Sequence, residues 1–411
     1  MKTASSAFNF ISLPRRKGWR GFLAFKECEI TVAQVGWREK MGSILCVVGT
    51  RPEVIKMAPV VKALEVAGIC APVLATAQHR GMLDQMMDVF GMKASWDLDA
   101  MRSNQSLAEL TGRLVPMLNQ VVEEARPDAI LAQGDTTTVF CTALAAFYRR
   151  IPFGHVEAGL RSGDLNAPFP EEANRRLASV LARWHFAPTE RARGELLREG
   201  VPNEDIYVVG NTVIDALLAT AERDDLPWPE RVGPILDDER LILITLHRRE
   251  NFGAPLERIF AALRDFAIRH PKARLIYPVH PNPNVETPAH TILAGIRNVT
   301  LIPPMDYPSF VALMCKAYMV FTDSGGIQEE APALGKPVLV FRDITERPEA
   351  VDAGGVQLVG SDPERFHSWA QLLWSDPKVY KGMAQPRFPY GCGHSAQLIA
   401  KVLNTGLGSS A

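Results

Sequence analysis

From Met41 onward, short unbroken apolar runs alternate with longer stretches of helical period. The runs are rich in Val, Ile and Leu and are continuous rather than alternating, as in strands covered on both faces. Strands separated by helical stretches predict parallel βαβ units. Strand candidates are ILCVVG, APVLATA, AILAQG, IPFGHVE and IYVVG in the first half, and LILITL, ARLIYPV, VTLIP, AYMVFT, PVLVF and VQLVG in the second. Between them PEVIKMAPVVKALEVAG, DTTTVFCTALAAFYRR and PLERIFAALRDFAIRH read as helices. The rhythm breaks near residues 210–240, where the helical GNTVIDALLATAERDD gives way to the Pro-rich, charged DLPWPERVGPILDDER. Such composition marks an inter-domain connection. The expected fold class is therefore α/β, with two doubly wound Rossmann-like domains, 41–210 and 211–390, facing each other across a cleft. A terminal helix and tail over 391–411 are expected to pack back on the N-terminal domain.

Composition changes this picture little. The 411 residues are 47% hydrophobic, enough for two or three domains. The formal net charge of −1 argues against a nucleic-acid binder. Residues 1–40 stand apart: eight Lys/Arg against three Glu make them +5, leaving −6 for the rest. PRRKGWRGFLAFKECEI starts like a basic export signal, but its apolar part stops at Lys26 and Glu27 with no small-residue cleavage site. The segment reads as a poorly ordered extension or an over-called start, with Met41 the functional beginning; a basic surface-binding arm is the sharper alternative. Six scattered cysteines without C-x-x-C spacing speak against zinc or redox use, and no run is long enough to cross a bilayer.

In doubly wound sheets ligands bind beyond the carboxyl ends of the strands, so the residues that follow the strands carry the candidate chemistry. GTRPEVIK sets Arg51 and Lys56 around a helix N-terminus opened by Pro52, which favours anions; solvated cations on a capped helix fit the same letters. TAQHR gathers Gln78, His79 and Arg80 at the next strand exit. In QGDTTT, Asp135 stands where an N-cap belongs. HVEAGLRSGDLNAPFPEEANRR places Glu157 at a strand end, Glu171 and Glu172 at a helix start, and Arg175 one turn past Glu171. If Asp135, Glu157 and Glu171 converge, mutual repulsion is expected to raise at least one pKa towards neutrality, where it can move protons. Three caps or ion-pair partners are the plainer alternative. In the second half His247, Arg248 and Arg249 follow a strand and suit a phosphate-bearing ligand. His280, in PVHPNPNVETP, reads as structural. TDSGGIQEEAP opens a helix with Ser324, Gly325 and Gly326, whose backbone N–H groups can face an anion at close range. The spacing is neither the dinucleotide fingerprint nor a Walker A loop. Capping accounts for one of Gln328, Glu329 and Glu330, but not for the pair of carboxylates with two glycines. FRDITERPEAV adds Arg342, Glu346 and Arg347.

Taken in order, GTRPEVIKMAP, TAQHRGMLDQ, GDTTT, GHVEAGLRSGDLNAPFPEEANR, VVGNTVIDAL, LHRREN, PVHPNPNV and TDSGGIQEEAPALGKPVLVFRDITERPEAV closely resemble the non-hydrolysing UDP-N-acetylglucosamine 2-epimerases, from about Met41 to the end of the chain. The resemblance implies a glycosyltransferase-B-like fold and a cytoplasmic homodimer that interconverts UDP-GlcNAc and UDP-ManNAc. It implies no cofactor, no metal, and no nucleic-acid or membrane partner. It assigns Arg51 and His247 to the diphosphate, Ser324, Gly325 and Gly326 to phosphate, Glu330 to the ribose, Phe310 to the uracil and Arg347 to the nucleotide cleft. Lys56, Asp135, Glu157, Glu171 and Arg175 surround the sugar and, with His247, form the catalytic set. Gln78 and His79 fall in a motif linked to a second, activating UDP-GlcNAc. The chain departs from the family at Gln133, where His is frequent, and at Leu246, Pro281 and Ile344. None of these removes a catalytic group, and residues 1–40 have no counterpart. The expected chemistry is anti elimination of UDP to a 2-acetamidoglucal, then re-addition. A hydrolysing epimerase and a glycosyltransferase of the same fold are the rivals.

Overall fold

The computed structural model describes residues 42–76, 80–102 and 104–408. Their strands form two all-parallel sheets. The first has seven strands: β1 (Ile44–Val48), β2 (Val73–Ala75), β3 (Ala94–Asp97), β4 (Ala129–Gln133), β5 (Phe153–Val156), β6 (Trp184–Ala187) and β7 (Ile206–Val208), in the order β3-β2-β1-β4-β5-β6-β7. The second has six: β8 (Arg240–Thr245), β9 (Ala273–Pro278), β10 (Val299–Ile302), β11 (Met319–Thr322), β12 (Val338–Val340) and β13 (Val356–Leu358), in the order β10-β9-β8-β11-β12-β13. Helices link successive strands, so the α/β class with two Rossmann-like lobes is what the chain adopts. Each sheet reverses its winding once, between β1 and β4 and between β8 and β11. The loops leaving those strands diverge, and the crevice they create is where such sheets bind ligands.

Burial explains the continuous apolar runs. All five residues of β1 and of β4 are buried, because helices cover both faces of the sheet. One apolar cluster, built on Leu45, Leu114, Val139 and Phe153, lies on one face of the first sheet; another, built on Phe260, Phe266, Phe321 and Phe366, lies on one face of the second. A third runs continuously from Val54 and Leu64 through Leu217 to Val311 and Val338, and so joins the lobes. Its spacer is the Thr212–Ala221 helix. That helix packs on the Arg51–Val66 and Ser395–Gly408 helices on one side, and on the Tyr307–Lys316 and Gly325–Ala333 helices on the other. Asp215 accepts a hydrogen bond from the Ala396 N–H at 2.8 Å, tying the terminal helix to the spacer. Among the described residues no helix is long and apolar enough to cross a membrane.

Two strands have no counterpart among the runs read from the sequence. β3, ASWD, is a sheet edge whose residues are mostly exposed, so it carries no apolar run. β6, WHFA, is fully buried, but four residues with a central histidine do not stand out as a strand.

The first switch point is held by Glu53, which the sequence reading did not single out. Thr50 caps the Arg51–Val66 helix, and Glu53, at its third position, is 2% exposed. The Glu53 Oε2 accepts the N–H groups of Gly49 at 2.5 Å and Thr50 at 3.0 Å, and Oε1 accepts the Thr136 hydroxyl at 2.6 Å. One carboxyl therefore fastens the loop after β1 to the loop after β4. Burial pushes its pKa up from an ordinary 4.5 to about 7, against the hydrogen bonds that lower it. A carboxyl raised on folding stabilises fully below its unfolded pKa, and that contribution fades as pH climbs to the folded value. The stability attributable to Glu53 thus declines between pH 4.5 and about 7. Thermal melts across that window are expected to fall less steeply for Glu53→Gln than for the parent. Glu53→Ala, which strands three donors, should cost about 3 kcal/mol or more. Parallel melting curves for parent and Glu53→Gln would count against this.

Candidate active site

In the second lobe the site is built on Asp323, which is fully buried just beyond β11. Thr245 and Thr322 end the paired strands β8 and β11 with a 2.6 Å hydroxyl contact. Asp323 then accepts the backbone N–H groups of His247 at 3.1 Å and Arg248 at 3.0 Å, and the Asn251 amide at 3.0 Å. These bonds fold the His-Arg-Arg loop over the sheet. The His247 ring keeps 40% exposure, lies 3.8 Å from Asp323 and stacks on His280 at 5.8 Å between centroids. Burial lowers its pKa, so His247 is a neutral imidazole at pH 7 and offers a single N–H donor rather than a cation. Arg248 turns to Glu346 at 3.4 Å, as does Arg342, which also meets Glu250 at 2.7 Å.

Ser324 caps the Gly325–Ala333 helix, and Gly325 and Gly326 are its first residues. Their N–H groups lack intrahelical partners and carry the positive end of the helix dipole. A Cβ at Gly325 would come within 2.9 Å of the Glu346 carboxylate, which would have to swing aside to admit it. Two turns on, Glu330 is buried and accepts the Tyr307 hydroxyl at 2.9 Å. Burial raises Glu330 to about 7; Tyr307, Lys56 and Arg51 pull the other way. Lys56 and Arg51 come from the first lobe, so the two lobes meet electrostatically here. Phe310 lies one turn from Tyr307, partly buried against the joining cluster.

The lobes meet most closely at Glu157. It follows β5 with φ of +66°, a left-handed backbone that a non-glycine residue seldom adopts, and its side chain is 6% exposed. Lys56 Nζ contacts Glu157 Oε2 at 2.6 Å, and the Gln133 amide donates to the same oxygen. From the second lobe, Arg347 approaches Glu157 Oε1 to 3.9 Å and donates to Glu329. Asn211 donates to both carboxylates, at 3.1 Å to Glu157 and 2.6 Å to Glu329. Two anions, two cations and two amides thus form one buried network. Burial pushes Glu157 up, but Lys56 and then Arg347 outweigh it, and its pKa ends below the ordinary carboxylate value. Glu329, with Arg347 as its main partner, stays raised by burial.

Asp135 and Glu171 occupy the neighbouring loop. Asp135 pairs with Arg175, and the Asn174 amide donates to its backbone carbonyl at 3.0 Å. Both partners sit on the Glu171–Leu181 helix, which is thereby fastened to the loop after β4. Glu171 opens that helix, and its Oε2 is enclosed without a hydrogen-bond partner. Its neighbour Glu172 is fully buried, bonded to the Ser162 N–H at 3.1 Å and to Arg176 at 3.0 Å.

The expectation that repulsion among Asp135, Glu157 and Glu171 raises a pKa is corrected for Glu157. Its nearest charges are Lys56 and Arg347, and attraction prevails. The carboxyls raised to about 7 are Glu53 and Glu330, by burial. Arg347 lies in the network at 12% exposure, bonded to Glu329. Gln133, Asn211, Glu329 and Asp323 were not picked as site residues. The signals were there: Gln133 was a departure from the family pattern, and Glu329 was the unexplained half of a carboxylate pair. Gln78 and His79 lie outside the described residues.

Comparison with known proteins places this geometry. The family model described as UDP-N-acetylglucosamine 2-epimerase matches residues 62–404. The chain is 52% identical over 367 residues to UDP-N-acetylglucosamine 2-epimerase of Yersinia pestis, covering 88% of this chain and 98% of the relative. It is 50% identical over 369 residues to the Escherichia coli K12 enzyme of that name, with the same coverage. Its fold is similar to the crystal structure of UDP-GlcNAc 2-epimerase from Neisseria meningitidis bound to UDP-GlcNAc, with a TM-score of 0.82, 47% identity, and 88% and 100% of the two chains covered. The Methanocaldococcus jannaschii enzyme in complex with UDP-GlcNAc and UDP matches with a TM-score of 0.75 and 32% identity over 89% and 100%. With two parallel Rossmann-like sheets of the glycosyltransferase-B type, a helix end open to anions and a buried carboxylate network between the lobes, the chain belongs to the UDP-N-acetylglucosamine 2-epimerase family.

Proposed function

We propose that the protein interconverts UDP-GlcNAc and UDP-ManNAc without net hydrolysis, by elimination and re-addition of UDP. The observation that carries this reading is the pairing of a phosphate-ready end in one lobe with the buried, ionised Glu157 in the other, 2.6 Å from Lys56. The free N–H groups at Gly325 and Gly326 and the Ser324 hydroxyl, with Arg51, hold the diphosphate, the Ser324 N–H being given to Thr322 Oγ1 at 2.9 Å. The neutral His247 donates its one N–H to a departing phosphate oxygen. Glu330 takes the ribose hydroxyls and Phe310 lies by the uracil.

The C2 proton of the sugar is not acidic in itself, because no carbonyl is adjacent. As the C1–O bond breaks, its electron pair leaves with UDP and positive charge builds at C1. A carboxylate then removes the C2 proton, and the C2–H electrons form the C1–C2 double bond of the glycal. Protonation at C2 from the opposite face and return of the UDP oxygen to C1 complete the inversion. Glu157, kept ionised by Lys56 and Arg347, serves as one base; Asp135 and Glu171, with Arg175, serve the other face. Hydrogen-bond donors at the diphosphate stabilise the leaving charge. The homodimer belongs to the same reading. Phe147 and Tyr148 end the Thr137–Tyr148 helix exposed, and Leu177 and Val180 are exposed on the helix packed against it; these apolar side chains suit a second copy. An activating second UDP-GlcNAc at Gln78 and His79 rests on the resemblance alone.

Three measurements test the reading. With UDP-GlcNAc in D₂O, the product is expected to be UDP-ManNAc carrying deuterium at C2; accumulation of free ManNAc and UDP would instead identify the hydrolysing reaction. Glu157→Gln is expected to lower kcat by roughly 10²–10⁴-fold, and full turnover in that variant would remove Glu157 from the chemistry. UDP affinity, measured calorimetrically, is expected to rise roughly fivefold as pH passes about 7 and Glu330 ionises, since charged acceptors bind more strongly than neutral ones. Tyr307→Phe should shift that rise to higher pH, and Glu330→Gln should abolish it; an unchanged rise in Glu330→Gln would sink the ribose assignment.

A further inference from the structure

Asn211 has every hydrogen-bonding group on its side chain in use. It is 2% exposed and caps the Thr212–Ala221 helix, the spacer between the lobes. Its Oδ1 accepts the Val213 N–H at 3.2 Å. Its Nδ2 donates to Glu157 Oε1 at 3.1 Å and to Glu329 Oε2 at 2.6 Å. The two roles determine which way the amide faces. Turned over, its oxygen would stand against two carboxylates and its NH₂ against a backbone N–H, so no other orientation is tolerable. The backbone is pinned as well: the Asn211 N–H donates to Tyr390 O at 2.6 Å. Gly210, at φ +91°, leaves no room there, since a Cβ would lie 2.6 Å from Ser395 Oγ and 2.9 Å from Gly391 Cα.

A neutral amide is what this position requires. Glu157, Glu329, Lys56 and Arg347 already balance in charge, and another charged group would leave one buried charge uncompensated. Each Glu157 oxygen also has its own donors. Lys56 and Gln133 hold Oε2, whereas Oε1 has Asn211 as its hydrogen-bond donor, with Arg347 farther off at 3.9 Å. Asn211 therefore fixes the rotation of the carboxylate about its own bond. It does so from the spacer helix, which packs on helices of both lobes, while its second proton holds Glu329 of the Gly325–Ala333 helix.

We propose that Asn211 is a positioning residue for the epimerisation: its amide orients the Glu157 carboxylate and registers the second lobe against it through Glu329. This rests on the reading of Glu157 as a base. Loss of the amide both frees the carboxylate and removes a hydrogen bond that favours its ionised form, so the pKa of Glu157 rises.

The test replaces Asn211 by Ser, which still caps a helix but reaches neither carboxylate, and by Asp, which keeps cap and volume but exchanges the donor for a third carboxylate. Initial rates of UDP-GlcNAc epimerisation are followed across pH, with UDP binding measured alongside. Asn211→Ser is expected to lower kcat on the order of 10²-fold and to move the acid limb of kcat/KM to higher pH, with the Kd for UDP changed less than about threefold, because the phosphate end lies elsewhere. Asn211→Asp should move the same limb the same way and further. If one variant does not fold, the other decides the matter. A folded variant with parental kcat and an unmoved limb overturns the proposal. So does a variant whose melting temperature and kcat fall while the limb stays in place, since that is a helix cap alone. Glu157→Gln separates the two levels: parental turnover there refutes the role of Glu157, whereas lost turnover with an indifferent Asn211→Ser refutes only the positioning role.

Discussion

The ion pair between Lys56 and Glu157 is the constraint on which the rest of the site depends. Both groups are withdrawn from water, and an ion taken from water into a protein interior costs several kcal/mol unless it is paired and hydrogen-bonded. Glu157 meets this requirement with Lys56 at 2.6 Å, Gln133, Asn211 and the more distant Arg347. Glu329 meets it with Arg347 and Asn211. Because these partners come from both lobes and from the helix between them, satisfying the charges also fixes how the lobes meet. The left-handed backbone at Glu157 belongs to the same arrangement, since it aims the side chain out of the sheet and into the network.

The two sheets contribute in different ways. In the first lobe, side chains act: Lys56 from the helix after β1, Asp135 from the loop after β4, Glu157 from the end of β5. In the second, backbone acts at the phosphate end. Asp323 is wholly occupied in folding the His247 loop, and the helix end at Ser324 presents N–H groups rather than a side-chain charge. That division suits a ligand with a phosphate end and a sugar end. On the proposed reading, a dipole and backbone donors hold a diphosphate without giving or taking a proton, and the carboxylates assigned to proton transfer stand on the other wall.

Much of this was legible in the letters. The apolar runs of β8 to β13 and the motifs at the strand exits are local in sequence, and so is the S-G-G opening of a helix. What escaped was non-local or unremarkable as a string. β3 is an exposed edge without an apolar pattern, and β6 is four residues long. Glu53 reads as an ordinary helix cap until Thr136, more than eighty residues away, is found on its second oxygen. Convergence of Asp135, Glu157 and Glu171 suggests repulsion that raises one of their pKa values, yet Glu157 ends below the ordinary carboxylate value. The sign depends on which cations the fold brings closer.

By itself, then, the sequence determined the secondary-structure rhythm, the parallel sheets and the residues that leave each strand, because these follow from local pattern and the geometry of βαβ units. Family membership was written in the same local motifs. Only the tertiary structure decided which carboxylates are ionised, which cations hold them, and that Asn211 and Glu329 stand beside Glu157. Those outcomes rest on distances of a few ångströms between segments far apart in sequence, and electrostatic energy in a buried site is governed by such distances and by the exclusion of water, not by order along the chain.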